Sequence, residues 1–235
     1  MITPSASVRM TLSAVGNIGK TTVANHVLTS AGGGAVCTFE THSASGNERE
    51  AIDRDGLVAR LFAPPADGLV LDIGVGDTLD AIEALRLVAR QDAGLSQRLL
   101  IVVPLLTDGK SVAGLRWLLN QMPEALRSSV RAVWNRVRRG EELALRDGDI
   151  VRAARAVIRQ GGARLCAPVL HESPLFDPAH LLIRSRGSLD AVASITDVEI
   201  RSAPLADMPV LLAGRDAAQA AQVDCREVFS ALNER

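Results

Sequence analysis

The passage Val8 to Thr22 constrains the fold of this chain more than any other: an apolar run passes through a glycine-containing turn into a helical pattern. The turn reads Ala14-Val15-Gly16-Asn17-Ile18-Gly19-Lys20-Thr21-Thr22. This is the P-loop pattern, in which Ala or Gly is followed by four residues of any type, then Gly, Lys and Ser or Thr. Its spacing has a chemical reason. Gly16 and Gly19 let the backbone curl, so that the N–H groups of Gly16, Asn17, Ile18 and Gly19 turn inward on phosphate oxygens. A helix beginning near Gly19 adds the positive end of its dipole. Lys20 then reaches the β- and γ-phosphates, Thr21 offers a hydroxyl to Mg²⁺, and Thr22 can bond the α-phosphate. Lys20 and Lys110 are the only lysines of the chain, the other basic residues being arginine. A compact ammonium therefore stands where a phosphate needs one.

The rest of the sequence repeats the same rhythm. Apolar runs that read as buried strands are Val8 to Val15, Ala35 to Phe39, Leu69 to Ile73, Leu99 to Leu106, Val130 to Val137 and Arg164 to Leu170. Helical patterns lie between them at Lys20 to Ser30, Thr78 to Gln91, Val112 to Gln121 and Glu141 to Gln160. Strands alternating with helices of this length predict α/β architecture. The expected fold is the P-loop NTPase three-layer fold, a mainly parallel sheet flanked by helices. In Thr78 to Gln91 the residues Leu79, Ile82, Leu85 and Val88 mark one buried stripe, and Gly32-Gly33-Gly34 suits the end of the first helix. The nucleotide-binding domain is expected over 1–184. The pattern loosens over 185–235, where Pro204 and Pro209 precede a closing helix from Asp216 to Glu234, taken as part of the same domain.

A P-loop needs an acid at the end of a neighbouring strand to hold the Mg²⁺ shell. Asp72, ending Leu69-Val70-Leu71-Asp72, supplies it, the plain alternative being an aspartate that caps a turn. Asn135, closing the run that contains Trp134, is either an amide able to read an adenine edge or an asparagine in a turn. Gly109-Lys110-Ser111 imitates the motif, but Pro104 occupies its first place, and a plain helix start explains it better.

Composition excludes several classes. With 47% apolar and 23% charged residues the chain is ordinary globular material. The polar start Met1 to Ser7 does not read as a signal peptide, and no apolar stretch is long enough to cross a bilayer. Cys37, Cys166 and Cys225 stand far apart, which suits a reducing cytoplasm better than a disulfide framework or metal cluster. The net charge of −1 hides a basic segment from Arg127 to Arg164, with ten arginines and four acids. Within it Arg152, Arg155 and Arg159 share one helical face, a surface suited to DNA backbone or to a solvated face paired with acids.

The phrase Gly16-Asn17-Ile18-Gly19-Lys20-Thr21-Thr22, followed in order by Asp72-Ile73-Gly74, Ile101-Val102-Val103-Pro104 and Val169-Leu170-His171-Glu172-Ser173-Pro174, resembles the deviant P-loop ATPases of the ParA/MinD type. The resemblance spans about residues 8 to 180 and is nearest the branch of the plasmid stability protein StbB and the conjugation and mobilisation proteins TraL and MobD. It implies ATP and Mg²⁺ as cofactors, with Lys20 and Asp72 in the catalytic machinery. It also implies a nucleotide-dependent homodimer, and a role in plasmid partition or conjugative transfer beside a small DNA-binding or relaxosome partner. Two departures matter. Val15 stands where the family carries a lysine that reaches the partner's nucleotide. Glu40-Thr41-His42 stands where the family has two aspartates, so that His42 takes the water-orienting place beside Glu40. Nucleotide binding is therefore expected with slow or partner-stimulated turnover. The alternative is a small-molecule ligase or kinase of the same superfamily, similar to dethiobiotin synthetase.

Overall fold

Side chains of the first strand alternate across the sheet: Val8, Met10 and Leu12 enter one apolar layer, while Arg9 and Thr11 face the other. The same alternation runs through the neighbouring strands and builds two cores. Leu69, Leu71, Ile73, Ile101, Val103, Val130, Ala132 and Trp134 fill the first layer, and Val70, Leu100, Val102 and Val133 the second. These assignments come from a computed structural model, which describes residues 7–29, 36–39, 51–137, 145, 148–171, 182 and 185–233.

The strands are β1 (Val8–Thr11), β2 (Val36–Phe39), β3 (Ala51–Ile52), β4 (Leu69–Ile73), β5 (Leu99–Leu105), β6 (Val130–Val137), β7 (Arg164–Leu165) and β8 (Leu170–His171). Their lateral order is β3-β2-β4-β1-β5-β6-β7, with β8 beside the far end of β6, and the pairings among the described residues are parallel. Helix α1 begins at Lys20–Thr22 and widens into a π turn over Val23–Val27. The other helices are α2 (Arg54–Phe62), α3 (Thr78–Gln91), α4 (Leu95–Arg98), α5 (Gly109–Gln121), α6 (Glu124–Arg127), α7 (Asp149–Gly161), α8 (Leu189–Ala193), α9 (Asp197–Ser202) and α10 (Met208–Leu232). Helices α2, α3, α5 and α7 cover the first face, and α1 and the last turns of α10 cover the second. The result is a three-layer α/β fold with a mainly parallel sheet flanked by helices. Its order places β1 between β4 and β5, where connections leave in opposite directions; in open α/β sheets the crevice at the carboxyl ends of such strands is where ligands bind.

Arg9 locks the second layer. Its Nη1 donates to the Leu28 carbonyl at 3.0 Å, and its guanidinium lies 5.4 Å from the Phe229 ring centroid, so the end of α1 is tied to α10. The remaining length of α10 packs with α8 and α9 around Leu189, Val192, Ile195, Ile200, Ala218 and Ala221, a small separate cluster.

Several expected boundaries move, each for a physical reason. β1 stops at Thr11, because the Ser13 hydroxyl accepts from Val15 N–H at 3.0 Å and turns the chain. The run from Arg164 to Leu170 divides into β7 and β8 around Pro168, which has no N–H to donate. Helix α5 begins at Gly109, its amino end capped by Asp108, whose carboxylate accepts from Ser111 N–H at 2.7 Å; the second Gly-Lys-Ser is a helix start. The closing helix begins at Met208, since Pro209 falls in its first turn, where no N–H is required. In α3 the buried stripe holds Ile82, Leu85 and Val88 with Ala81 and Ala84, whereas Leu79 is 52% exposed. Helix α1 ends at Val27, where Leu28 caps it by donating its N–H to the Val23 carbonyl, short of the expected Ser30. Helix α7 begins at Asp149, where the helical pattern was expected from Glu141. Gly32-Gly33-Gly34 and the stretch 138–144 lie outside the described residues.

Candidate nucleotide site

The loop between β1 and α1 takes its shape from two left-handed residues: Gly19, with φ of 83°, and Asn17, with φ of 57°. Gly16 does not adopt positive φ, and a methyl group built there would meet nothing within 4 Å, so the loop is open on that side. Gly19 is constrained twice, for a Cβ there would lie 2.4 Å from the Asn135 amide nitrogen. Ile18 is buried and anchors the loop, and its carbonyl accepts from Asn135 Nδ2 at 2.7 Å. Gly16, Asn17 and Thr21 are exposed, with Thr22 partly so.

Asn135 is thus a strut beneath the loop, 5% exposed and reaching across 117 residues of sequence. Its neighbour Arg136 has φ of 57° at an irregularity where β6 pairs with β8. Asn17 and Arg136 are the non-glycine residues of positive φ among the described residues. They therefore flank the Ile18–Asn135 bond, one on each side of it. Backbone strain of this kind is held in place only by surrounding structure and concentrates at ligand sites.

Lys20 is 9% exposed, uncommon for a lysine. Burial pushes its ammonium below the usual lysine range, and the Asp72 carboxylate opposes that shift. Asp72 is 5% exposed at the carboxyl end of β4. The parallel register sets it opposite Thr11, whose hydroxyl donates to Asp72 Oδ1 at 3.0 Å. On the other side of the loop, Thr78 Oγ1 donates to the Ser13 carbonyl at 2.8 Å and joins the start of α3 to the loop's first residues. Asp77, just before α3, is also buried. Thr11, Ser13, Asp77 and Thr78 were not singled out in the sequence. A hydroxyl inside or beside an apolar run carries no periodic signal, and only the register reveals its partner.

Val15 packs against the protein itself: a Cβ on Gly114 of α5 would meet Val15 Cγ2 at 2.6 Å. The Val15 side chain therefore braces the loop on α5. Glu40 and His42 lie outside the described residues. Arg152, Arg155 and Arg159 are all exposed along α7, and Arg152 is paired with Asp149 one turn earlier.

Chemically, the arrangement offers an open loop at a helix amino end, a desolvated ammonium and a fixed carboxylate that acts on it. This donor set fits the phosphates of a nucleotide with a hard cation beside Thr21 and Asp72. No family model matches the chain and no curated protein matches it, so the site is read from its own geometry.

Proposed function

We propose that this chain is an ATP-binding switch of the ParA/StbB-like kind, acting in plasmid stability, partition or conjugative transfer with a DNA-binding partner. One observation carries the reading: Lys20, one of two lysines in the chain, is buried at the foot of the loop under the influence of Asp72 rather than extended into solvent. A buried ammonium is costly unless it is compensated, and nucleotide phosphates arriving at the open side of the loop would compensate it. In this reading the backbone of Gly16, Asn17, Ile18 and Gly19 and the Lys20 ammonium hold the phosphates. Thr21 and Asp72 would hold Mg²⁺, which would supply positive charge beside the phosphates. Asn135 fixes the loop from below.

The family role adds what the resemblance implies: ATP closes a homodimer, the closed form engages its partner or DNA, and turnover resets it. Val15, turned onto α5, supports slow turnover by the isolated chain, because it gives no cation to a partner's nucleotide. Calorimetric titration with ATP, with and without Mg²⁺, tests the reading. Saturable binding that tightens with Mg²⁺, and an Asp72→Asn variant that stays folded but loses the Mg²⁺ enhancement, are the expected results. A chain that binds no ATP under either condition contradicts it.

A further inference from the structure

Arg131 and Arg164 face each other as register partners at the starts of β6 and β7. They lie at the opposite end of the sheet from the P-loop. At about 3.3 Å per residue, Arg131 stands roughly 13 Å along β6 from Asn135. Both arginines line an open cleft of about 630 Å³ between the sheet edge and the last turns of α10. They also line an adjoining cleft of about 270 Å³, to which Ser96, Ser128 and Asn233 contribute.

Their charge is poorly answered. Arg131 Nη1 donates to the carbonyls of Ser128 at 2.6 Å and Val130 at 3.2 Å, but its Nε is buried without a hydrogen-bond partner. Arg164 is exposed and has neither hydrogen bond nor ion pair among the described residues. Glu227, the carboxylate lining the larger cleft, forms no ion pair with either among the described residues. The carboxyl end of α10 adds only about half a unit of negative charge. Burial first, and then the neighbouring Arg164 charge, push the Arg131 guanidinium below its ordinary range. Two guanidinium groups lining one cleft, with hydroxyls beside them, match a tetrahedral oxyanion, and a cleft of this size leaves room for a small body attached to it.

We propose that this cleft is a second ligand site, separate from the P-loop, which takes a phosphoryl group between Arg131 and Arg164, either as inorganic phosphate or on a small phosphorylated metabolite. Its test uses the full chain carrying Lys20→Ala, which lowers the P-loop's own phosphate affinity, and the comparison with Arg164→Gln keeps the result independent of the nucleotide reading. Inorganic phosphate and ribose 5-phosphate are titrated by calorimetry. Saturable binding is expected, weakened about tenfold by Arg164→Gln, the loss of one charge-assisted hydrogen bond. Glu227→Gln strengthens it. Arg131→Lys keeps the charge but loses the fork, and falls between the parent and Arg164→Gln. Tighter binding of ribose 5-phosphate identifies the phosphorylated metabolite as the source, and equal binding identifies phosphate itself. Circular dichroism shows that each variant is folded, and exposed Arg164 makes that outcome secure. No saturable binding of either probe, or equal binding before and after Arg164→Gln, overturns the proposal.

Discussion

Asn135 and Lys20 show how residues of the site divide between holding the loop and meeting a ligand. Asn135, expected either at an adenine edge or in a turn, donates to Ile18 beneath the loop and sets the limit on Gly19. Asn135→Ala leaves a buried carbonyl without its donor and should cost about 1–3 kcal/mol of stability. Chemical denaturation checks this, and ATP affinity should fall with it; full stability in the variant would show that the bond is incidental. Lys20 gives a pH dependence whose sign follows from its environment. Burial lowers the pKa of its ammonium in the free protein, and phosphate oxygens beside it would raise it again. As pH rises through the lowered value, the free protein loses the proton that the complex keeps, so ATP affinity declines below lysine's ordinary range and binding takes up protons. Calorimetry in two buffers of different ionisation enthalpy measures that uptake. Release of protons on binding would contradict the assignment.

At the scale of elements, the sequence discloses what repeats and hides what depends on neighbours. Helix α3 is read with its boundaries intact because its apolar period is long, yet Leu79 faces outward and two alanines share the buried stripe. Helix α2 escapes the periodic reading: it spans 9 residues, carries Gly56 in its first turn and buries only Leu57 and Leu61. Its clearest signal is the Asp53 cap, whose carboxylate accepts from Gly56 N–H at 2.8 Å. The loop was legible because its chemistry is local. The Thr11–Asp72 and Asn135–Ile18 contacts were not, because they join residues 61 and 117 apart in sequence, the first by strand register and the second by a strand end meeting the loop. Helix α7 presents the arginine face expected of it, with Asp149 answering Arg152. If this face meets DNA backbone, replacing Arg152, Arg155 and Arg159 by alanine should flatten the salt dependence of binding by nearly three logarithmic units per logarithm of salt, at about 0.9 per phosphate contact. Duplex titrations at several salt concentrations, with and without ATP, read this slope. An unchanged slope assigns the DNA contact to a partner protein.

Across the whole molecule, one layer serves both ends of the sheet. The face under α1 and α10 is apolar in the middle, through Val70, Val102 and Val133, and polar at its ends. Lys20, Thr11, Asp72 and Asn135 gather at the carboxyl end of the strands, and Arg131 and Arg164 at the other. The three cysteines are buried: Cys166 lines the cleft beside Arg131 and Arg164, and burial pushes the Cys225 thiol up to about 12. Among the described residues no helix is long and apolar enough to cross a membrane. The central claim is that the buried ammonium exists to meet nucleotide phosphates. The measurement that tests it most directly is the dissociation constant for ATP with Mg²⁺, compared between the parent chain and Lys20→Ala at matched fold content. The account predicts a loss of about tenfold or more, from removal of at least one charge-assisted hydrogen bond. Equal dissociation constants would contradict it.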